Sequence, residues 1–137
     1  MKVILQRINK RYKLEATNDA GNTIIYDNSK EDGGGEGFRP MQTLLASAGA
    51  CSSIDVISIL KKQKIEEYEL SVTVEGERDT GKEANLWKTV HLHFQFTGAV
   101  PKEKAQRAVE LSVTKYCSVS KTLEAAGATV TYSVELR

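Results

Sequence analysis

Apolar and polar positions alternate with a period of two in some stretches of the chain and recur with helical spacing in others. Their order predicts an α+β domain rather than a βαβ series. Short alternating runs occupy residues 2–8, 12–17 and 23–27 (Val3, Leu5; Tyr12, Leu14, Ala16; Ile24, Ile25, Tyr26). Asn9-Lys10 and Asn18-Asp19-Ala20-Gly21-Asn22 separate them with turn-forming residues, so the N-terminal region reads as a β-meander. Residues 28–39, NSKEDGGGEGFR, read as a mobile loop, because Gly33, Gly34, Gly35 and Gly37 among charges gain little by packing. The stretch lacks the trailing Gly-Lys-Ser/Thr of a phosphate-binding loop.

From Pro40 to Lys64 the spacing turns helical. Pro40 suits a first helical position, Leu44, Leu45, Ala48, Cys51, Ile54, Ile57 and Leu60 follow as a stripe, and Lys61, Lys62 and Lys64 place positive charge at the C-terminal end. At about 1.5 Å per residue such a helix is roughly 35 Å long and becomes the central one. Seven of the eight residues Ala46–Ser53 are Ala, Gly or Ser, which lets another backbone approach closely. Next, Tyr68, Leu70, Val72 and Val74, then Val90, Leu92, Phe94 and Phe96, alternate with polar residues as two strands of a β-hairpin, with 76–86 as the connection. Pro101 opens a second helix carrying Ala105, Ala108, Val109, Ser112, Val113, Tyr116 and Cys117; Gly127 ends the helical region, and Val130, Tyr132, Val134 and Leu136 form a closing strand.

With 137 residues, 40% of them hydrophobic, residues 1–137 are expected to form one domain with one core. Lys plus Arg 19 against Asp plus Glu 18 excludes a chain disordered by charge and argues against a nucleic-acid partner. MKVILQRINKRYK lacks the apolar stretch of a signal peptide, and no window is expected to approach the ~18 apolar residues of a membrane span, so no membrane partner and a cytoplasmic location are expected.

Cys51 and Cys117 are the two cysteines, 66 residues apart, each expected in the apolar stripe of a helix. Without a tight ligand pair no metal site is indicated. Two readings remain open. Buried, inert thiols are the common fate of free cysteine. Against that, the small residues around Cys51 admit a substrate, and Lys115 and the hydroxyls around Cys117 would keep that site partly wet, as for a catalytic or sensing couple in a reducing compartment. Reactivity then requires a cation beside the thiolate, for which Arg11 and Arg39 are the candidates.

Arg39-Pro40-Met41-Gln42-Thr43-Leu44-Leu45-Ala46-Ser47-Ala48-Gly49-Ala50-Cys51-Ser52-Ser53-Ile54-Asp55-Val56 resembles the central helix of the OsmC/Ohr family, the osmotically induced and organic-hydroperoxide-resistance proteins. The stretches Ala105–Val109 and Lys115–Val119 are similar to that family's second Cys-bearing helix. The resemblance runs from the meander to the last strand and implies an OsmC-like fold in an intertwined homodimer. It further implies a thiol peroxidase without cofactor or metal. Cys51 attacks an organic hydroperoxide to give a sulfenic acid, Cys117 condenses with it to a disulfide, and a dithiol reductant restores both. Arg11 or Arg39 would activate Cys51, and Met41 and Gln42 would line the substrate. Met41 stands where the family's peroxidases carry a Glu, and Cys51-Ser52-Ser53-Ile54-Asp55-Val56 is more like an OsmC-like branch. The alternative is therefore a non-enzymatic OsmC-like protein, redox-responsive or binding small apolar molecules.

Four further residues receive plainer readings. His91 and His93 share one polar strand face with Thr89 and Gln95, towards solvent rather than a metal. Asp55, one turn after Cys51, would raise a thiol pKa and is assigned a polar contact across the dimer. Trp87 covers a sheet edge.

Overall fold

Three antiparallel strands, β1 (Val3–Arg7), β2 (Leu14–Asn18) and β3 (Thr23–Tyr26), follow the predicted meander in the order β1-β2-β3. The computed structural model describes Met1–Arg137 as two compact units, Met1–Leu44 and Leu45–Arg137, and this sheet belongs to the first. Val3, Ile4 and Leu5 of β1 are all more than half exposed, so this strand shows apolar side chains to solvent on both faces.

The glycine-rich segment after β3, expected to be mobile, is wrapped around a buried carboxylate. Asp27 accepts hydrogen bonds from the backbone N–H of Asn28 (2.8 Å) and of Glu36 (3.2 Å), while the Ser29 carbonyl accepts from Asp32, Gly33 and Gly34. A Cβ on Gly33 would lie 2.5 Å from Asp27 Oδ1, so only glycine fits there. Satisfying a buried anion with backbone donors gives an otherwise unpackable sequence a reason to order.

Helix α1 runs from Pro40 to Lys62, two residues short of the expected end. It closes with a Schellman arrangement in which Lys64 N–H donates to Lys61 O and Ile65 N–H to Leu60 O. Lys64 takes φ 60°, the left-handed conformation that glycine adopts without strain. The expectation that no window approaches a membrane span is corrected: this helix is long and apolar enough by length and composition, with mean hydropathy 1.6. Its buried residues Ala48, Ser52, Val56 and Leu60 recur every fourth position and face the core, whereas Ile54 and Ile57 are exposed. Gly49 matters to the packing, since a Cβ there would meet Val74 Cγ2 at 2.9 Å.

The second sheet has the order β4 (Tyr68–Arg78), β5 (Trp87–Gly98), β6 (Thr129–Leu136). β4 and β5 form the expected hairpin, and β5 and β6 pair in parallel, so a single βαβ crossover sits in a domain that is otherwise α+β as expected. The crossover supplies the core: Val90, Leu92, Phe94 and Phe96 are fully buried against Ala105, Ala108, Val109 and Val113. Trp87 opens β5 rather than preceding it and stacks under Arg78, with the guanidinium carbon 6.0 Å from the ring centroid.

The expected single helix after Pro101 is corrected most. α2 covers Lys102–Leu111, a π-helical turn covers Ser112–Tyr116, Cys117 is extended (φ −68°, ψ 105°), and α3 covers Ser118–Ala125. The wide turn closes with Cys117 N–H donating to Ser112 O at 2.8 Å, so Cys117 lies at a junction instead of on a stripe.

His91 and His93 are half-buried and bonded rather than free in solvent. Thr131 Oγ1 lies 2.7 Å from His91 Nδ1, and Ser133 Oγ lies 2.9 Å from His91 Nε2 and 2.6 Å from His93 Nδ1. Glu135 Oε2 lies 3.2 Å from His93 Nε2. An ionised Glu135 can only accept, so it sets one polarity along the row: each ring donates through Nε2 and accepts at Nδ1. Gln95 and Arg137, then His93, hold the Glu135 carboxyl well below its ordinary range, at about 2.

Two measurements check this account. Lys64→Gly removes left-handed strain and should stabilise the chain by ~0.5–1 kcal/mol, read as a higher urea midpoint; an unchanged or lower midpoint contradicts it. Because the folded pKa of Glu135 is depressed, its stabilisation is complete above the unfolded carboxyl pKa and fades as pH falls towards about 2. Glu135→Gln should flatten acid unfolding in that window, and an identical acid limb for both proteins would refute the assignment.

Candidate functional site

Cys51 lies on α1 at the edge of the buried stripe and is partly exposed; Cys117, at the junction before α3, is completely buried. The fold sets the Cys117 sulfur 4.0 Å from the Ala48 carbonyl, one turn before Cys51 on α1, so each thiol acts on the ionisation of the other. What joins them is the start of α3, whose first N–H groups have no partner inside the helix. Cys117 is the N-cap residue, and its Sγ accepts from Ser120 N–H at 3.3 Å. The backbone N–H of Val119, in the same first turn, favours the Cys51 thiolate and offsets part of its burial.

The two sulfurs differ in their surroundings. Burial pushes the Cys51 thiol up, the Val119 N–H offsets part of that, and the neighbouring Cys117 and the Asp55 carboxylate push it up further, leaving it above its ordinary pKa. Burial also pushes Cys117 up. The hydroxyls of Ser120 and Ser52, the Ser120 N–H and the Cys51 thiol outweigh it, and the Cys117 thiol falls below its ordinary pKa.

Asp55 finds its polar partner within the same chain. Ser112 Oγ is 3.1 Å from Asp55 Oδ2 and 3.1 Å from the Ser52 carbonyl oxygen, tying the π turn to α1. The contact assigned to Asp55 across a dimer is therefore not needed to satisfy it. The expectation that Lys115 and the hydroxyls beside it keep Cys117 partly wet is also corrected: Lys115 and Ser118 are exposed, but Cys117 is fully buried, as are Ser52, Ser112 and Ser120. These serines were not singled out as functional. Their signal was present, because each cysteine is followed by serines, in Cys51-Ser52-Ser53 and Cys117-Ser118-Val119-Ser120.

The other expected site residues belong to the unit Met1–Leu44. Arg11 Nη2 donates to Asp32 O at 2.6 Å, so its guanidinium is engaged with the glycine segment. The Arg39 N–H donates to Gln42 Oε1 at 3.0 Å, half of a capping box at the start of α1. Gln42 also borders an open groove of about 600 Å³ lined by Ile24, Ile25 and Phe38. Met41, half-buried, is the second residue of α1. No group of three or more His, Cys, Asp or Glu residues is arranged to hold a metal ion.

A family model described as "OsmC-like protein" matches residues 33–133. Protein YhfA of Escherichia coli K12 is 38% identical over 120 residues, covering 85% of this chain and 84% of that protein. A hypothetical protein of Aquifex aeolicus VF5 superposes with TM-score 0.80 at 26% identity, covering 99% of this chain and 96% of the other. An organic hydroperoxide resistance protein OsmC of Legionella pneumophila superposes with TM-score 0.72 at 22% identity, covering 98% and 97%, which shows a common fold.

The site makes a prediction independent of any substrate. Asp55→Asn removes a negative charge that disfavours the Cys51 thiolate, so alkylation of Cys51 by iodoacetamide at neutral pH should speed up severalfold, as followed by peptide mass spectrometry. An unchanged rate would show that Asp55 does not govern that sulfur.

Proposed function

Because the chain belongs to the OsmC-like protein family, we propose that it is a thiol peroxidase that reduces organic hydroperoxides to alcohols. The observation that supports this reading is that a partly exposed free thiol on α1 and a buried one at the start of α3 lie close enough for each to act on the other's ionisation. Accessibility assigns the attack to Cys51: its sulfur takes the terminal oxygen of the hydroperoxide, the O–O bond breaks, and the alkoxide leaves with the thiol proton as an alcohol. Cys51 is then a sulfenic acid, oxidised by two electrons. Cys117 attacks that sulfur, the S–O bond breaks, hydroxide departs, and a Cys51–Cys117 disulfide forms. A dithiol reductant returns both thiols by exchange.

The proposal includes a homodimer, supported in each unit by exposed apolar side chains: Val3, Ile4 and Leu5 in the first, Ile54 and Ile57 in the second. By the family resemblance, Arg11 or Arg39 supplies positive charge to the reacting thiolate and Met41 and Gln42 contact the organic group. A reducing cytoplasm is the compartment in which such a dithiol cycle runs. A second reading, a thiol protein that is oxidised without turnover, is favoured by one observation, the raised pKa of Cys51.

Turnover separates the two. With cumene hydroperoxide and dihydrolipoamide, the parent protein should consume peroxide continuously and Cys51→Ser should not. Cys117→Ser should stop after one equivalent, with a dimedone-reactive sulfenic acid on Cys51. Equal consumption by parent and Cys51→Ser would refute the peroxidase reading, and a parent that stops after one equivalent with reductant present would favour the second.

A further inference from the structure

The polar face of the second sheet carries a hydrogen-bonded row that the cysteine chemistry does not use. Side chains two apart on a strand share a face, and the parallel register sets His91 beside Thr131, His93 beside Ser133 and Gln95 beside Glu135. Ser133 Oγ therefore stands between two imidazoles, 2.6 Å from His93 Nδ1 and 2.9 Å from His91 Nε2. The other nitrogen of His93, Nε2, lies 3.2 Å from Glu135 Oε2. Ionised Glu135 can only accept, so His93 keeps its proton on Nε2 and turns Nδ1, as a base, towards the Ser133 hydroxyl. Gln95 Nε2 and Arg137 Nε, each at 3.0 Å, hold that carboxylate in place. His91, bonded through Nδ1 to the Thr131 hydroxyl at 2.7 Å, donates its Nε2–H to Ser133 Oγ, which leaves the Ser133 proton to point at His93.

We propose that Ser133 is a nucleophile activated by His93, and that this face of the sheet hydrolyses small neutral carboxylic esters without using either cysteine. A hydroxyl bonded to a base, with the base's second nitrogen oriented by a carboxylate, is the arrangement that nucleophilic catalysis requires on any fold. Ser133 and His93 are the catalytic residues, and Glu135 is a positioning residue that acts through His93. The row can be reached from solvent. Ser133 and both histidines are half-buried, while Ser71, Thr73 and Glu75 of the neighbouring β4 are exposed beside them. Charge narrows the substrate. Glu75 lies across from His91, and Glu69 and Glu77 share its face of β4, so anionic phosphates and carboxylates are repelled and a neutral ester is admitted.

The reaction balances without any oxidant or reductant. Ser133 Oγ attacks the ester carbonyl carbon while its proton passes to His93 Nδ1. The bond from that carbon to the alcohol oxygen breaks, and the alcohol leaves with the proton from His93. Water then gives a proton to His93 and attacks the acyl-serine. The bond to Ser133 Oγ breaks, His93 returns the proton to it, and the carboxylic acid departs. Ester and water have become acid and alcohol.

The test is labelling of the full chain by a biotinylated alkyl fluorophosphonate, which exchanges its fluoride for an activated serine oxygen, with the site mapped by peptide mass spectrometry. Hydrolysis of p-nitrophenyl acetate is followed in parallel, after iodoacetamide has blocked the accessible thiol. The label should fall on Ser133, and Ser133→Ala should abolish both label and hydrolysis. His93→Gln should slow both about a hundredfold. Glu135→Gln should slow them as well, and Glu135→Asp should restore the rate; circular dichroism confirms folding throughout. Should Ser133→Ala fail to fold, the mapped label on the parent and its rate in His93→Gln decide the matter. A parent that takes no label on Ser133 or releases no p-nitrophenolate would overturn the inference, as would rates that ignore His93→Gln. Neither measurement uses a hydroperoxide, so a failure here leaves the peroxidase reading standing, and a failure of that reading leaves this site untouched.

Discussion

The structure around the cysteines depends on one constraint: the first N–H groups of α3 must find acceptors where the helix start enters the protein at buried Cys117 and Ser120. A helix start buried without partners is costly, and here sulfur supplies what a serine or aspartate cap supplies elsewhere. That requirement fixes Cys117 at the N-cap, and the neighbouring N–H of Val119 favours the thiolate of Cys51, 66 positions earlier in the chain. The π turn is the device that permits it. An unbroken helix from Lys102 onwards would carry Cys117 within its body, where the N–H groups are already bonded along the axis.

A balance of charge follows from the same geometry. Asp55 lies close enough to disfavour an anion on Cys51, and its bond to Ser112 holds it there. At the Cys117 sulfur the Ser120 N–H donates at 3.3 Å, while the Ala48 carbonyl lies 4.0 Å away. The two sulfurs are thus differentiated by the dipoles around them rather than by their depth alone. Depth by itself would predict the opposite order, with the buried sulfur the harder to ionise.

The legibility of the sequence was uneven, and each miss has a physical reason. The meander, α1 and the β4–β5 hairpin were readable because a buried face imposes a period on the residues that cover it. The Ala/Gly/Ser run of α1 announced a close approach, met by Gly49 against Val74. Parallel pairing of β5 with β6 was not readable, since an alternating pattern is the same whichever way the neighbour runs. The break at Ser112–Cys117 was hidden too: no proline or glycine marks it, and the helical stripe continues across it. Likewise, the ordering of residues 28–39 around Asp27 came from backbone donors, which are the same at every residue type except proline.

The sequence by itself determined the class of the fold, the place of the long helix, the strand faces and the two residues capable of thiol chemistry, because these depend on local periodicity and on residue type. Only the tertiary structure decided that Cys117 is buried at the start of α3 while Cys51 stays partly exposed on α1, and that α1 and the π turn are tied through Ser112. Those outcomes depend on the directions of N–H and O–H groups in space, and such directions are set by how α1, the π turn and α3 pack together.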